Sequence, residues 1–163
     1  MLNIGLSITK NKEKFILYKN FIYDSIKKNH SINIINVSSK KILNENIKNL
    51  NILLTYSIDS NYFNKKSEQL KWIQIGNAGV DDSLIDEVLK SKIIITNSRG
   101  INSVPVAEYV ISTILYFSKY FSECISYKKD KIWKQWEIAK KINTLENETI
   151  GIIGYGAIGK EIA

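Results

Sequence analysis

The chain has one cysteine, one histidine and one arginine, and each scarcity removes a class of function. With Cys124 alone no intrachain disulfide framework can form, and a reducing cytoplasm is the expected setting. Cys124 and His30 stand far apart in sequence, so no zinc-type ligand cluster can be built from them. Arg99 is the single arginine in a chain whose formal charge is +7, and every other cation is a lysine. Lysine pairs at 27 and 28, 40 and 41, 65 and 66, 128 and 129, and 140 and 141 are spread over the whole length. Nucleic-acid readers favour arginine interleaved with aromatics, so this charge reads as a solvated surface. Long apolar runs are missing too. The opening stretch turns polar at Thr9 and Lys10, too early for a signal segment or a membrane span, and a soluble protein is expected. No internal repeat or low-complexity tract stands out.

What remains is ordinary apolar content distributed with two alternating periods. Leu2 to Ile8 reads as a strand, and Phe15, Leu17, Tyr18, Phe21, Ile22 and Ile26 recur at helical spacing. Strands are then expected at 32–37, 52–55, 70–75 and 93–96, with short helices at 42–50 and 83–89 and a polar segment at 57–68. Strands alternating with helices imply crossover connections and a parallel sheet with helices on both faces. Trp72 is read as sheet core. His30 lies between the first helix and the second strand, where a helix end accounts for it without any catalytic role.

Three stretches break this pattern in ways that suit ligands. Gly76-Asn77-Ala78-Gly79-Val80-Asp81-Asp82 follows the fourth strand, at the sheet edge where open α/β proteins bind ligands; its amides could face an anion, or it could be a plain turn. Thr96 to Glu108 leads into a helix over 104–121, with Ser103 placed to cap it, Pro105 tolerated in its first turn and Glu108 near its positive end. That helix is apolar on more than one face, so it should be covered by a sheet, another subunit or both. Cys124 beyond it reads as a small packing residue. The basic segment 128–141 is read as a surface connection anchored by Trp133 and Trp136.

The third stretch closes the chain. An apolar run, Ile150 to Ile153, reads as a buried strand that passes through Gly154, Gly156 and Gly159 directly into a helix. Gly154 would allow the tight turn, Gly156 would leave room for a pyrophosphate, and Gly159 would let helix and strand lie close. Free amides and the positive dipole end of the helix suit a dinucleotide phosphate. The same glycines would also serve packing in an ordinary strand-to-helix turn.

Taken together, Asn77-Ala78-Gly79-Val80-Asp81, then Asn102 to Glu108 with Val106-Ala107-Glu108, then Gly154-Tyr155-Gly156-Ala157-Ile158-Gly159 resemble the D-isomer-specific 2-hydroxyacid dehydrogenases. The resemblance is strong from Trp72 to Ala163 and architectural before that. It implies an α/β protein: a flavodoxin-like substrate domain over 1–100, then the first elements of a Rossmann NAD-binding domain over 101–163. It also implies a substrate carboxylate on the amides of Asn77, Ala78 and Gly79, with Ala78 also touching the nicotinamide side. Asn102 would lie on the substrate side. Val106, Gly154, Gly156, Ala157, Ile158 and Gly159 would meet the cofactor, NAD or NADP. The reaction would be hydride transfer between nicotinamide and a 2-hydroxy or 2-keto acid, in a homodimer.

The family's catalytic arginine, glutamate and histidine fall beyond the glycine motif, and neither Arg99 nor His30 matches their places. The resemblance therefore implies an amino-terminal portion that is inactive alone. At roughly 1.5–3 kcal/mol for each large apolar side chain left uncovered, five such residues on 104–121 and 150–153 forgo on the order of 10 kcal/mol, about the stability of a domain. Residues 1–100 are expected to fold, and the remainder to be loose or paired with another chain. The competing reading is a non-enzymatic binding module, either a nucleotide-responsive regulator or a flavodoxin-like partner domain that dimerises through the 104–121 helix.

Overall fold

Runs of three to six residues rich in apolar side chains form five strands in the computed structural model of the protein, with an apolar core on each face of their sheet. The structure describes residues 1–26, 31–60 and 68–163, so His30 and most of the polar 57–68 segment lie outside the described residues. The strands are β1 (Leu2–Ser7), β2 (Ile32–Asn36), β3 (Ile52–Thr55), β4 (Trp72–Ile75) and β5 (Ile94–Thr96). They form one sheet in the order β2-β1-β3-β4-β5, and every pairing is parallel. This is the flavodoxin-like order of a doubly wound α/β fold. The chain divides into two compact units, Met1–Arg99 and Gly100–Ala163.

In the first unit, strand periodicity splits the apolar residues between two cores. Leu53, Ile73 and Ile75 face a larger one with Val37, Leu43, Ile47, Leu50, Leu70 and Val88, which α2 (Lys40–Asn46), a 3₁₀ turn over Ile47–Asn49 and α3 (Asp86–Leu89) help to cover. Ile4, Leu6 and Ile34 face the other, covered by Phe15, Tyr18 and Ile22 of α1 (Lys12–Ser25). Gly5 permits close packing on β1, since a Cβ there would lie 2.6 Å from Leu50 Cδ1. Both α1 and α2 are started by the expected chemistry: the Asn11 side chain accepts from Lys14 N, and Ser39 Oγ accepts from Ile42 N.

Asparagines tie the strand starts together. Asn33 Nδ2 donates to Asn3 Oδ1 (3.1 Å), Asn3 N donates to Asn51 Oδ1 (2.9 Å), and Asn3 Nδ2 donates to Asn49 O (2.9 Å). Trp72 departs from the expected core position. Its side chain is partly exposed (37 %), and its indole N–H donates to Thr96 Oγ1 at 2.7 Å. An amphipathic ring with a donor to satisfy fits a half-covered edge better than an apolar interior. The expected helix at 83–89 is also shorter: a 3₁₀ turn over Asp81–Ser83 precedes the single turn of α3.

The second unit is helical. It holds α4 (Ser103–Ser118), α5 (Phe121–Lys129), α6 (Gln135–Ala139) and α7 (Ala157–Ile162), with α7 packed on α4. Five expectations fail here. Ser103 is not the cap but the first helical residue. Asn102 stands before it without a side-chain cap bond, and Ser103 Oγ donates to Gly100 O at 2.8 Å. Glu108 therefore falls beyond the first turn, where the dipole has weakened.

The single helix expected to reach Phe121 breaks at Tyr120, whose φ of 54° places it in the left-handed region. Trp133 (86 % exposed) and Trp136 (75 %) anchor nothing in this unit; the buried residue of that segment is Ile138. Finally, Ile150 to Ile153 form no strand, and Ile153 is fully exposed. A strand needs a neighbour for its N–H and C=O groups, and the unit offers only helices.

Candidate functional site

In the first unit, the candidate residues sit where β4 leaves the sheet. Gly76 N still donates to Thr55 O (2.8 Å), and the chain then turns outward through exposed Asn77, Ala78 and Gly79. The turn is fixed through its carbonyls. Ser98 N donates to Asn77 O (3.0 Å), Asn97 Nδ2 to Ala78 O (2.7 Å), and Ser98 Oγ to Ile75 O (3.1 Å). Asn77 spends its own side chain on structure, with Nδ2 donating to Tyr56 O at 3.1 Å. Among the described residues, the backbone amides of Asn77, Ala78 and Gly79 donate to nothing.

Such a row of unpaired, exposed N–H groups can accept an anion. One negative charge is close by: Asp81 Oδ2 lies 3.9 Å from where a Gly79 Cβ would be. The directed donors of the loop therefore act against the charge of Asp81. Gly76 lies against the Tyr56 ring: a Cβ there would approach Tyr56 Cε1 to 2.6 Å and Cδ1 to 2.8 Å unless the ring moved.

In the second unit, Asn102 and Val106 share the entry to α4. Asn102 is exposed, Val106 is half-buried, and Val106 N donates to Asn102 O at 3.1 Å. The glycine motif forms a compact turn onto α7. Gly154 has φ of +96°, a conformation that L side chains rarely adopt. Gly156 stands before the helix with no atom within 4 Å of a potential Cβ. A Cβ on buried Gly159 would collide with the Gly154 carbonyl oxygen.

The first helical bond runs from Lys160 N to Gly156 O (3.0 Å), so the amides of Ala157, Ile158 and Gly159 lie ahead of the hydrogen-bonded turn. Open space at Gly156 beside these amides is the arrangement a pyrophosphate fits. Val104, Ala107, Glu108, Ile111 and Ser112 of α4 line a groove with Glu161 of α7, so the two helices carrying Val106 and the glycine turn are held together.

The residues that sequence reasoning missed are Tyr56, Asn97 and Ser98, which hold the 76–80 loop from behind. Their signal is the polar Asn97-Ser98 pair directly after a strand, at the edge where ligands bind. Perturbed ionisation lies elsewhere. A hydrogen bond from Ser122 holds the Glu123 carboxyl below its ordinary range, helped by its own backbone amide and by Lys141, and a bond to Glu137 raises Lys134.

The sequence profile of the D-isomer specific 2-hydroxyacid dehydrogenase catalytic domain matches residues 15–153. The chain belongs to this family. It is 33 % identical over 143 residues to erythronate-4-phosphate dehydrogenase of Wigglesworthia glossinidia brevipalpis, covering 86 % of this chain and 32 % of that protein. It is 30 % identical over 106 residues to D-3-phosphoglycerate dehydrogenase of Bacillus subtilis, covering 65 % of this chain and 20 % of that one. The fold of a D-isomer specific 2-hydroxyacid dehydrogenase family protein from Aeromonas salmonicida superposes with a TM-score of 0.77 at 22 % identity, over 99 % of this chain and 48 % of that one. NAD-dependent formate dehydrogenase from Staphylococcus aureus, solved in complex with NAD, gives a TM-score of 0.65 at 20 % identity, over 100 % of this chain and 51 % of that one. The chain thus spans between a fifth and a third of these curated relatives and about half of these solved ones.

Proposed function

We propose that this chain is the amino-terminal part of an NAD-dependent oxidoreductase acting on a D-2-hydroxy acid or the matching 2-keto acid. Two features of a chain of this family support this reading: the open amides at Asn77, Ala78 and Gly79, and the glycine turn onto α7. The first would hold the carboxylate common to all such substrates, with Asn102 on the substrate side. The second would hold the dinucleotide pyrophosphate on the amides of Ala157 and Ile158, with Gly154, Gly156 and Gly159 allowing its approach. Val106 and Ala78 would border the cofactor. Bound NAD or NADP supplies the hydride chemistry; the protein's part is orientation and binding.

No residue of the chain is assigned the proton relay. Arg99 is exposed, with its backbone amide 3.4 Å from Asn97 Oδ1, and His30 lies outside the described residues. The 163-residue chain is therefore expected to bind NADH without turning over 2-keto acids. Calorimetric titration with NADH, followed by an absorbance assay with glyoxylate, pyruvate and hydroxypyruvate, tests both halves of this statement. Absence of NADH binding refutes the assigned cradle, and turnover refutes the absence of a relay.

A homodimer is part of the same proposal. Tyr109, Phe117, Phe121 and Ile153 are large, apolar and exposed on one unit, a surface that calls for cover. A non-enzymatic module that binds nucleotide and dimerises would expose the same surface. Joining the chain to the carboxyl-terminal part of one of its relatives separates the two readings: turnover of a 2-keto acid by that fusion favours the enzyme, and a stable, NADH-binding dimer that stays inactive favours the module.

A further inference from the structure

Resting on the reading of the 76–80 loop as a carboxylate receptor, we propose that Asn97 is a positioning residue that aims the receptor's donors. A trans peptide is planar, and its C=O and N–H point in opposite directions. Whatever holds the carbonyl of one residue therefore orients the amide of the next. Ser98 N holds Asn77 O at 3.0 Å, which turns the Ala78 amide away from the exit of β5. Asn97 Nδ2 holds Ala78 O at 2.7 Å, which turns the Gly79 amide the same way. The two adjacent N–H groups are thus presented on one side of the loop by two adjacent residues of another strand's end.

Only one of these two clamps is written in a side chain. The Ser98 bond uses a backbone amide that any residue except proline would supply, whereas the Asn97 bond needs a side-chain donor of this length. Asn97 also accepts from Arg99 N at 3.4 Å, a bond that shapes its own turn and does not reach the receptor. Because Asp81 adds negative charge near Gly79, the receptor depends on donor direction more than a cationic site would.

The test uses the full chain with glycolate, the simplest 2-hydroxy acid, followed by amide NMR shifts of Ala78 and Gly79, with the urea midpoint of the sheet as a second readout. Asn97→Ala removes the donor and the Arg99 contact. Asn97→Asp keeps the shape and the Arg99 acceptor, removes the donor and adds a negative charge. Both variants are expected to bind glycolate about tenfold more weakly, with the urea midpoint unchanged. Wild-type affinity in both, or weakening in the aspartate variant alone, which marks simple charge repulsion, overturns the inference. So does weakening that tracks a fallen midpoint. A wild-type chain whose loop amides do not respond to glycolate refutes the receptor itself, a different failure from intact binding without Asn97.

Discussion

A Cβ on Gly159 would run into the carbonyl oxygen of Gly154. That single relationship sets the closeness of the glycine turn to the helix it feeds, and it separates two glycines that look alike in sequence. Gly159→Ala should cost about 1–3 kcal/mol of local stability by overpacking and should loosen α7. Gly156→Ala meets no atom within 4 Å and should leave the fold alone, while lowering NADH affinity at least as much. Amide exchange across 154–163 and an NADH titration of both variants check the contrast. Equal exchange in the two would refute it.

Tyr56 and Gly76 should be coupled. The ring over Gly76 leaves a Cβ only 2.6 Å from Cε1, but Tyr56 is half exposed and its ring can swing outward. Gly76→Ala is expected to destabilise the chain by about 1 kcal/mol, and by clearly less in a Tyr56→Ala background. Urea denaturation of the four members of this cycle gives the coupling, and strict additivity would show that the ring does not occupy this place.

Leu53 is fully buried at the centre of the larger core, on the middle strand of the sheet. Leu53→Ala should cost about 2–5 kcal/mol, the range for a deeply packed leucine whose cavity cannot collapse. A change under 1 kcal/mol in the denaturation midpoint, converted by the slope, would contradict this packing.

Protection against amide exchange should differ between the two units. Thirteen buried apolar residues between Ile4 and Val88 support the first unit, whereas Ala107 and Ile138 are the buried apolar residues of the second. Exchange in β1, β3 and β4 should be slower than in α4 and α7 by orders of magnitude. Equal protection in a monomer would show that the second unit has stability these contacts do not explain.

Much of this architecture is legible in the sequence because period-two alternation is enforced by burial. The run at 52–55 gives its strand to the residue, and those at 2–8, 32–37 and 93–96 miss only at their ends. What misleads is tertiary. Ile150 to Ile153 have strand composition but no strand beside them, so composition alone produces an extended exposed segment. The break at Tyr120 carries neither glycine nor proline, and nothing local announces a tyrosine in the left-handed region. Trp133 and Trp136 read as anchors because large aromatics usually are, yet their rings lie open on this unit.

The candidate site divides along the same line. The Asn77-Ala78-Gly79 loop and the three glycines stand out because their glycines cluster at a fixed local spacing that needs no tertiary information to be seen. The roles of Tyr56, Asn97 and Ser98 depend on which strands become neighbours. β3 and β5 flank β4, so residues some twenty positions away on either side close on one loop.

The rung of Asn33, Asn3 and Asn51 has a consequence for how the sheet is assembled. Side chains alternate between faces, so sliding β1 by one residue against β2 or β3 would turn Asn3 over and present Ile4 to the amides instead. A slip against β2 would part the Asn33 and Asn3 carboxamides, and one against β3 would take the Asn3 N–H from Asn51 Oδ1, while a hydrophobic mismatch in so isoleucine-rich a set of strands would cost little. The amides thus act as an alignment key, penalising mis-registered pairings that isoleucine, being everywhere, could not tell apart.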